Sequence, residues 1–332
     1  MSESRVVVVT GGTAGLGRAI ARAYGARGAS VGLIARGVDG LAAAEREIRD
    51  AGGRALALPA DVSDAAAVDA AAERAERELG PIDVWINNAM VSVFSPVREM
   101  TAEEFRRVTE VTYLGYVHGT LAALRHMLPR NRGTIVQVSS GLAFRGIPLQ
   151  SAYCAAKHAI KGFTESLRTE LLHDGSGVRV TMVHMPALNT PHFDWVRNRL
   201  AHKPQPAPPV FQPEVGAEAV VRAVEHPERR DLSVGSSTLE ARWGDVLAPG
   251  MLDRYLARTG YRSQQRAEAE QPGRPDNLWH PLPGDRGTHG AFDRQARAHS
   301  AGLWLTEHRA VALLAAGVAG AAAATAWRAR RR

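Results

Sequence analysis

The sequence predicts an α/β fold in which helices cover both faces of a doubly wound, mostly parallel sheet, followed by a C-terminal helical extension. Two observations predict this class. Strand and helix patterns alternate from residue 5 to residue 235, which is typical of a parallel sheet between helices. A glycine-rich turn joins the first strand to the first helix. Ligands in such sheets bind beyond the carboxyl ends of the strands, where the strand order switches.

Apolar runs and helical periodicity give the elements in order. Seven strands are predicted, over residues 5–10, 30–35, 55–59, 82–87, 134–139, 178–183 and 232–235. Six helices are predicted between them, over residues 15–28, 38–51, 64–79, 102–128, 152–173 and 213–225. Thr101 and Glu104 form a capping-box pair at the start of the fourth helix. A further helix is expected over residues 245–259.

The turn after the first strand is the first motif with a chemical meaning. It reads Thr10-Gly11-Gly12-Thr13-Ala14-Gly15-Leu16-Gly17. Glycines let the backbone turn tightly and approach a pyrophosphate, and the next helix presents N–H groups and a partial positive charge to that anion. Any tight turn uses glycine, but the strand–turn–helix context favours a dinucleotide site in a Rossmann-type fold.

The second motif is a tyrosine–lysine pair. Only three of the 41 basic residues are lysines, and Lys157 lies four residues after Tyr153. Chance gives such a pair in about one chain of this composition in twenty. In a helix the two side chains share a face, so the ammonium can lower the pKa of the phenol. The pair alone is equally consistent with ordinary surface residues, and the glycine turn favours the chemical interpretation.

The composition narrows the function classes. The chain has 45% hydrophobic and 23% charged residues, as globular proteins do. Its net charge of +7 comes mostly from scattered Arg, so no nucleic-acid partner is expected. A single cysteine, Cys154, excludes an internal disulfide and fits a cytoplasmic catalytic body. The twelve His do not cluster at ligand spacing, so no metal is expected.

Taken together, the motifs resemble the short-chain dehydrogenase/reductase family over about residues 4–240. The residues that carry the resemblance are the glycine turn, Asn87-Asn88-Ala89, Ser140, Tyr153, Lys157 and the segment from Pro186 to Thr190. Ser140 precedes Tyr153 by the family's usual thirteen residues. Pro186 to Thr190 is similar to a Pro-Gly segment followed by a Thr that contacts the nicotinamide carboxamide.

The resemblance implies an NAD(P)-dependent alcohol dehydrogenase or ketone reductase. Tyr153 would be the general acid in reduction and the base in oxidation. Lys157 would favour the phenolate and bond the ribose, and Ser140 would donate to the substrate oxygen as charge develops. Cofactor contacts are implied for Gly11, Thr13, Gly15, Leu16, Gly17, Asp61, Val62, Asn88, Ala89, Tyr153, Lys157, Pro186 and Thr190.

The end of the second strand favours NADP over NAD. Enzymes that take NAD usually carry an acid there, bonded to the ribose diol. This strand ends at Ala35-Arg36 with no carboxylate. Arg36 can fork onto a 2′-phosphate, and a solvated Arg at a strand end is the alternative.

Three positions depart from the family pattern. Met90 replaces the Gly of the Asn-Asn-Ala-Gly segment, and Ala187 replaces the Gly after Pro186. Thr112 stands where many members have an Asn that holds a proton-relay water. A Thr hydroxyl can bind a water but lacks the two donors of an amide. Thr112 is therefore a candidate relay residue and, equally, a helix residue bonded to its own backbone.

We expect the chain to divide into three segments. Residues 1–240 form the NADP-binding catalytic domain with a substrate lid at about 190–212, and residues 241–302 form a helix and a Pro-rich polar extension. Apolar residues beside the motifs favour a hydrophobic ketone, aldehyde or secondary alcohol as substrate, although each could equally be core packing. The resemblance implies a homodimer or homotetramer.

The last segment, residues 303–332, carries 18 uncharged residues at 310–327 and four Arg after them. As a helix, 18 residues reach about 27 Å, which is marginal against a hydrocarbon core of about 30 Å. We expect membrane association through residues 310–332, and the alternative is an Ala-rich helix docked on the body or on another subunit.

Two other functions stay open. The departures at Met90 and Thr112 allow a nucleotide-binding, membrane-associated scaffold or sensor that lacks turnover. An epimerase or dehydratase with the same tyrosine–lysine pair is less favoured, because such relatives carry a larger C-terminal sugar-binding region.

Overall fold

The structure is a computed structural model, and it describes residues 5–307. Its strands, in chain order, are β1 (Val6–Thr10), β2 (Ser30–Ala35), β3 (Arg54–Pro59), β4 (Val84–Asn87), β5 (Val93–Phe94), β6 (Gly133–Ser140), β7 (Val178–Met185), β8 (Ala187–Leu188), β9 (Arg197–Asn198), β10 (His202–Pro204), β11 (Val210–Phe211), β12 (Asp231–Ser233) and β13 (Gln265–Ala269). Its α-helices are α1 (Gly15–Gly25), α2 (Val38–Asp50), α3 (Ala65–Leu79), α4 (Ala102–Thr109), α5 (Gly115–Met127), α6 (Ser151–His173), α7 (His192–Trp195), α8 (Pro213–Glu225), α9 (Ser236–Leu247), α10 (Pro249–Ser263) and α11 (Ala301–Glu307).

Seven strands form one sheet in the order β3-β2-β1-β4-β6-β7-β12. Every pairing in this sheet is parallel. The chain runs from β1 outward through β2 to β3, then crosses back to β4 and runs outward on the other side. The strand order therefore reverses between β1 and β4, which is where a ligand cleft is expected. The predicted doubly wound parallel fold is confirmed.

Alternate side chains of each central strand supply the two halves of the core. In β1, Val7 and Val9 pack with α1, α2 and α8, whereas Val6 and Val8 pack with α3, α4, α5 and α6. All four valines are buried. This alternation follows from the period of two along a strand, and it gives the sheet an apolar face on each side for the helices to cover.

Two predicted helices are interrupted. The helix predicted over residues 102–128 is divided by a π-helical turn, Glu110–Leu114, between α4 and α5. The predicted capping box of Thr101 and Glu104 is present at its start. The helix predicted over residues 245–259 begins too early, because residues 245–247 end α9 and α10 starts at Pro249. Pro249 follows Ala248, and proline keeps the preceding residue out of the helical region.

The polar extension after α10 is ordered against the body. Strand β13 pairs with β10 in an antiparallel ribbon, and Leu278 is buried in the core. Residues 277–290, which we name the strap, then run beside the carboxyl ends of β1 and β2. Within residues 5–307, no helix combines the length and apolarity needed to cross a membrane. The apolar run predicted to associate with a membrane lies outside the described residues.

Candidate active site

A cavity of about 620 Å³ opens at the carboxyl ends of the central strands. All the residues predicted to contact the cofactor line it: Gly11, Thr13, Gly15, Leu16, Gly17, Arg36, Asp61, Val62, Asn88, Ala89, Tyr153, Lys157, Pro186 and Thr190. Ser140 lines it as well, and Thr112 does not. One continuous space therefore joins the glycine turn to the tyrosine–lysine pair, which are more than a hundred residues apart in the chain.

The glycines of the turn stand where a side chain would not fit. Gly11 and Gly15 have φ values of +68° and +54°, which only glycine adopts without strain. A Cβ on Gly17 would lie 2.1 Å from the carbonyl oxygen of Gly11. In α1, which starts at Gly15, no side chain caps the N-terminus and no acidic residue lies in the described first turn. No carboxylate from the first turn of α1 itself offsets the partial positive charge there, so the turn fits an anionic pyrophosphate.

Asn88 and Thr10 hold this turn in place. The side-chain amide of Asn88 donates to the carbonyl oxygens of Thr10 at 3.0 Å and Gly11 at 3.3 Å. The Thr10 hydroxyl accepts from the backbone N–H groups of Asn88 at 2.9 Å and Ala89 at 3.1 Å. The end of β4 is thus bonded to the end of β1 across the switch point, and the Asn-Asn-Ala segment acts as a brace.

Charged groups lie at the end of the cavity beside β2. Arg36, at the end of β2, donates to the carbonyl oxygens of Asn277 at 2.6 Å and Trp279 at 2.9 Å. Its guanidinium lies 3.8 Å from the carboxylate of Asp61. Burial alone would raise the pKa of Asp61, but hydrogen bonds from Arg107 and Ser63 hold it below its usual range. Arg36 is therefore a fixed cation that also anchors the strap, a contact that the sequence did not predict.

Tyr153 and Ser140 form the polar end of the cavity. Helix α6 carries Tyr153 from its first turn, and β6 ends at Ser140. Burial raises the pKa of the Tyr153 phenol, and a hydrogen bond with Ser140 opposes part of that shift. The expected lowering by Lys157 is not seen in this structure. The phenol is therefore protonated at neutral pH, the form that can give a proton to a carbonyl oxygen.

Lys157 is buried beside that phenol, with 2% of its surface exposed. Its Nζ lies 5.5 Å from the centre of the Tyr153 ring. The ammonium donates to the hydroxyl oxygen of Tyr116 at 3.0 Å and to the carbonyl oxygen of Val138 at 2.8 Å. Burial lowers the pKa of Lys157 to about 7. Tyr116, which the sequence analysis did not single out, is thus a direct partner of the predicted catalytic lysine.

Thr112 lies behind the cavity wall. Its hydroxyl donates to the carbonyl oxygen of Val91 at 2.8 Å and accepts from the Val91 backbone N–H at 3.0 Å. The hydroxyl donor is therefore committed, and only a second lone pair remains for a water. The backbone bonded here belongs to the connection between β4 and β5 and not to the helix of Thr112 itself. We propose a positioning role, in which Thr112 fixes Val91 at the cavity surface.

The substrate side of the cavity is mostly apolar. Its lining includes side chains from the β6–α6 connection, the lid and α10, namely Leu142, Ile147, Phe193, Leu252 and Leu256. Phe193 packs edge-to-face on Phe94, with ring centres 6.2 Å apart. The predicted lid thus contributes to the cavity, whereas the part played by α10 had no signal in the sequence.

The fold and this site together define a dinucleotide-dependent oxidoreductase. Comparison with known proteins gives the family. Residues 5–200 match the family described as short chain dehydrogenase. The chain is 34% identical over 275 residues to the uncharacterized oxidoreductase YxnA of Bacillus subtilis, covering 82% of this chain and 76% of that protein. The chain therefore belongs to the short-chain dehydrogenase family and is an NAD(P)-dependent oxidoreductase of CH–OH groups.

Two further relatives describe chemistry and structure. A cis-4-hydroxycyclohexanecarboxylate dehydrogenase of Sinomonas cyclohexanicum is 38% identical over 223 residues, which cover 65% of this chain and 87% of that protein. An alcohol dehydrogenase of the archaeon Thermococcus sibiricus, solved with 5-hydroxy-NADP, superposes with a TM-score of 0.61 at 27% identity. That match covers 70% of this chain and 96% of the other. These relatives favour the enzyme over the scaffold.

Proposed function

We propose that this chain transfers a hydride between NADP(H) and a hydrophobic ketone, aldehyde or secondary alcohol, using Ser140, Tyr153 and Lys157. One observation carries the proposal. The cavity joins a glycine turn suited to a pyrophosphate with a phenol and a buried lysine, and its third side is apolar. When bound, the nicotinamide supplies or accepts the hydride.

Tyr153, Ser140 and Lys157 each have a separate role in the proton transfer. In reduction, the Tyr153 hydroxyl gives its proton to the carbonyl oxygen, which becomes the hydroxyl of the product. Ser140 donates a hydrogen bond to the same oxygen as negative charge develops. The nearby ammonium of Lys157 stabilises the phenolate that remains. In oxidation the same steps run in reverse, with the phenolate as the base.

Two features support NADP over NAD. No carboxylate ends β2, so nothing there favours an unmodified ribose diol. Arg36 places a positive charge at that end of the cavity and keeps N–H donors beyond those bonded to the strap. The archaeal neighbour, solved with 5-hydroxy-NADP, supports the same choice.

The apolar wall supports an alicyclic or other bulky apolar substrate. Rigid aromatic and branched side chains surround the space beyond Ser140 and Tyr153, and such walls bind carbon frameworks rather than sugars. The name of the cyclohexanecarboxylate relative supports the same class. The homo-oligomer implied by the family resemblance stays a prediction.

The test is a screen of the full chain against cyclic ketones, aliphatic aldehydes and secondary alcohols, each with NADPH or NADP⁺ and with NADH or NAD⁺. We expect reduction of cyclic ketones by NADPH at rates well above those of small polar carbonyls. Tight NADPH binding without turnover of any substrate would contradict the proposed reaction. Equal activity with both cofactors would contradict the choice of NADP alone.

A further inference from the structure

The strap borders the cavity over the nucleotide side of the site. Residues of the strap that line the cavity are Asn277, Pro281, Leu282, Gly284 and Arg286. The family match ends at residue 200, and the archaeal neighbour matches only 70% of this chain. The strap therefore belongs to the part of the chain beyond that family match, and nothing in the family chemistry assigns it a role.

The strap is held by bonds at its start and in its middle. Arg36 binds its first carbonyl groups, and Arg107 donates to the carbonyl oxygen of Leu278 at 3.1 Å. The buried guanidinium of Arg18 lies 3.3 Å from the carboxylate of Asp285. Asp39 accepts from the backbone N–H of Gly284 at 2.7 Å. A segment fixed at this many points presents its side chains to the cavity in a defined position.

The strap also takes one donor from the glycine turn. The backbone N–H of Gly15 donates to the carbonyl oxygen of Gly287 at 3.0 Å. Gly15 is the first residue of α1, so this N–H is one of the donors that a helix N-terminus can offer to an anion. Because this N–H is bonded to Gly287, the turn has one hydrogen-bond donor fewer to give to a phosphate oxygen.

Arg286 is the residue next to this contact, and it lines the cavity. Its guanidinium lies over the ring of Trp195, with 5.9 Å from Cζ to the ring centre. The guanidinium donates one hydrogen bond, to the carbonyl oxygen of Pro283 at 3.3 Å. Among the described residues, no carboxylate pairs with it. Four of its five N–H donors thus remain to bind an anion.

We infer that Arg286 binds the pyrophosphate of the dinucleotide and replaces the donor that Gly287 takes from Gly15. Arg286 precedes Gly287, whose carbonyl oxygen accepts from the Gly15 N–H in the turn where the pyrophosphate is proposed to lie. Its charge and donors match phosphate oxygens. The strap is thus a wall of the nucleotide site. This inference rests on the proposed dinucleotide binding, and it adds a binding residue from outside the family match.

The test compares the dissociation constants of NADPH and NADH for the full chain and for Arg286→Met, measured by the fluorescence of the bound nicotinamide. Both nucleotides share the pyrophosphate, so we expect both dissociation constants to rise about tenfold. Arg294→Met is the matched control, because Arg294 is an exposed arginine of the same extension outside the cavity. It should leave both constants unchanged.

Three outcomes would overturn the inference. Unchanged constants in Arg286→Met would show that the arginine does not reach the nucleotide. A loss confined to NADPH would place Arg286 on the 2′-phosphate. An equal loss in Arg294→Met would indicate a general charge effect. If the wild-type chain bound neither nucleotide, the proposed function itself would fail. Arg286 is exposed, so the variant should fold, and an unchanged melting temperature checks this.

Discussion

The buried ammonium of Lys157 donates to the hydroxyl oxygen of Tyr116 at 3.0 Å. The Tyr116 hydroxyl in turn donates to the carbonyl oxygen of Val138 at 2.8 Å, which also accepts from Lys157. Tyr116 lies in α5, and Val138 lies in β6. The lysine proposed to act in catalysis is therefore held by a tyrosine from a different helix, and the three groups form a closed polar cluster inside the protein.

Replacing Tyr116 with Phe tests this cluster. In the variant the Lys157 ammonium keeps only one of its two bonded acceptors. We therefore expect the variant to lose about 1–3 kcal/mol of stability. Urea denaturation of wild type and variant measures the loss. Tyr261→Phe, at an exposed tyrosine, should change the stability by less than about 0.5 kcal/mol. Equal effects of the two substitutions would contradict the structural importance of the Tyr116 hydroxyl.

The burial of Lys157 predicts a specific pH dependence. Its pKa falls from the ordinary value of 10.5 to about 7 in the folded chain, so between these values the unfolded chain binds more protons. The cost of burying the charged lysine is present in full below pH 7 and is relieved as the pH rises towards 10.5. Lys157→Met removes this cost, which is of the order of a few kcal/mol.

We therefore expect Lys157→Met to be more stable than wild type at pH 6, with an advantage that shrinks steadily by pH 9.5. Denaturation of the cofactor-free proteins at several pH values measures it. An advantage that grows with pH, or that does not depend on pH, would mean that Lys157 is not desolvated as the structure indicates.

The glycine turn can be tested by adding one methyl group. A Cβ on Gly17 would meet the carbonyl oxygen of Gly11 at 2.1 Å, and backbone atoms cannot move aside as a flexible side chain can. We expect Gly17→Ala to lose about 1–3 kcal/mol of stability and to bind NADPH more weakly. Thermal unfolding and nucleotide titration measure these two effects.

Gly162→Ala is the matched control for that substitution. Gly162 lies in the interior of α6, is exposed, and has open space where its Cβ would stand. Alanine is the better helix former, so we expect a gain of about 0.5–1 kcal/mol. A neutral Gly17→Ala would contradict the close contact described for the turn.

Arg36→Leu tests the choice of nucleotide. If Arg36 bonds the 2′-phosphate, the dissociation constant of NADPH should rise about tenfold more than that of NADH, because only NADPH carries that group. The ratio of the two constants is the informative quantity, since loosening the strap affects both nucleotides alike. A ratio that does not change would assign Arg36 to the strap alone.

The sequence predicted the parallel sheet because β-branched runs and helical periodicity are local signals. It predicted the residues that line the cavity mainly through the family resemblance, whose motifs fall at the strand ends that a parallel sheet gathers. It did not predict Tyr116, whose partner lies 41 residues away. Nor did it predict the strap, which carries no periodic pattern. Its arginine contacts reach across some 240 residues, as between Arg36 and Trp279, and no local rule gives such contacts.

The most direct test of the central claim is Tyr153→Phe. The ring is retained and the hydroxyl is lost, so NADPH should bind within about twofold of wild type, while turnover of the best ketone should fall about 10²- to 10⁴-fold. Nucleotide fluorescence measures the binding, and single-turnover oxidation of bound NADPH measures the reaction. Retained hydride transfer at the wild-type rate would contradict the role of Tyr153 as the proton donor.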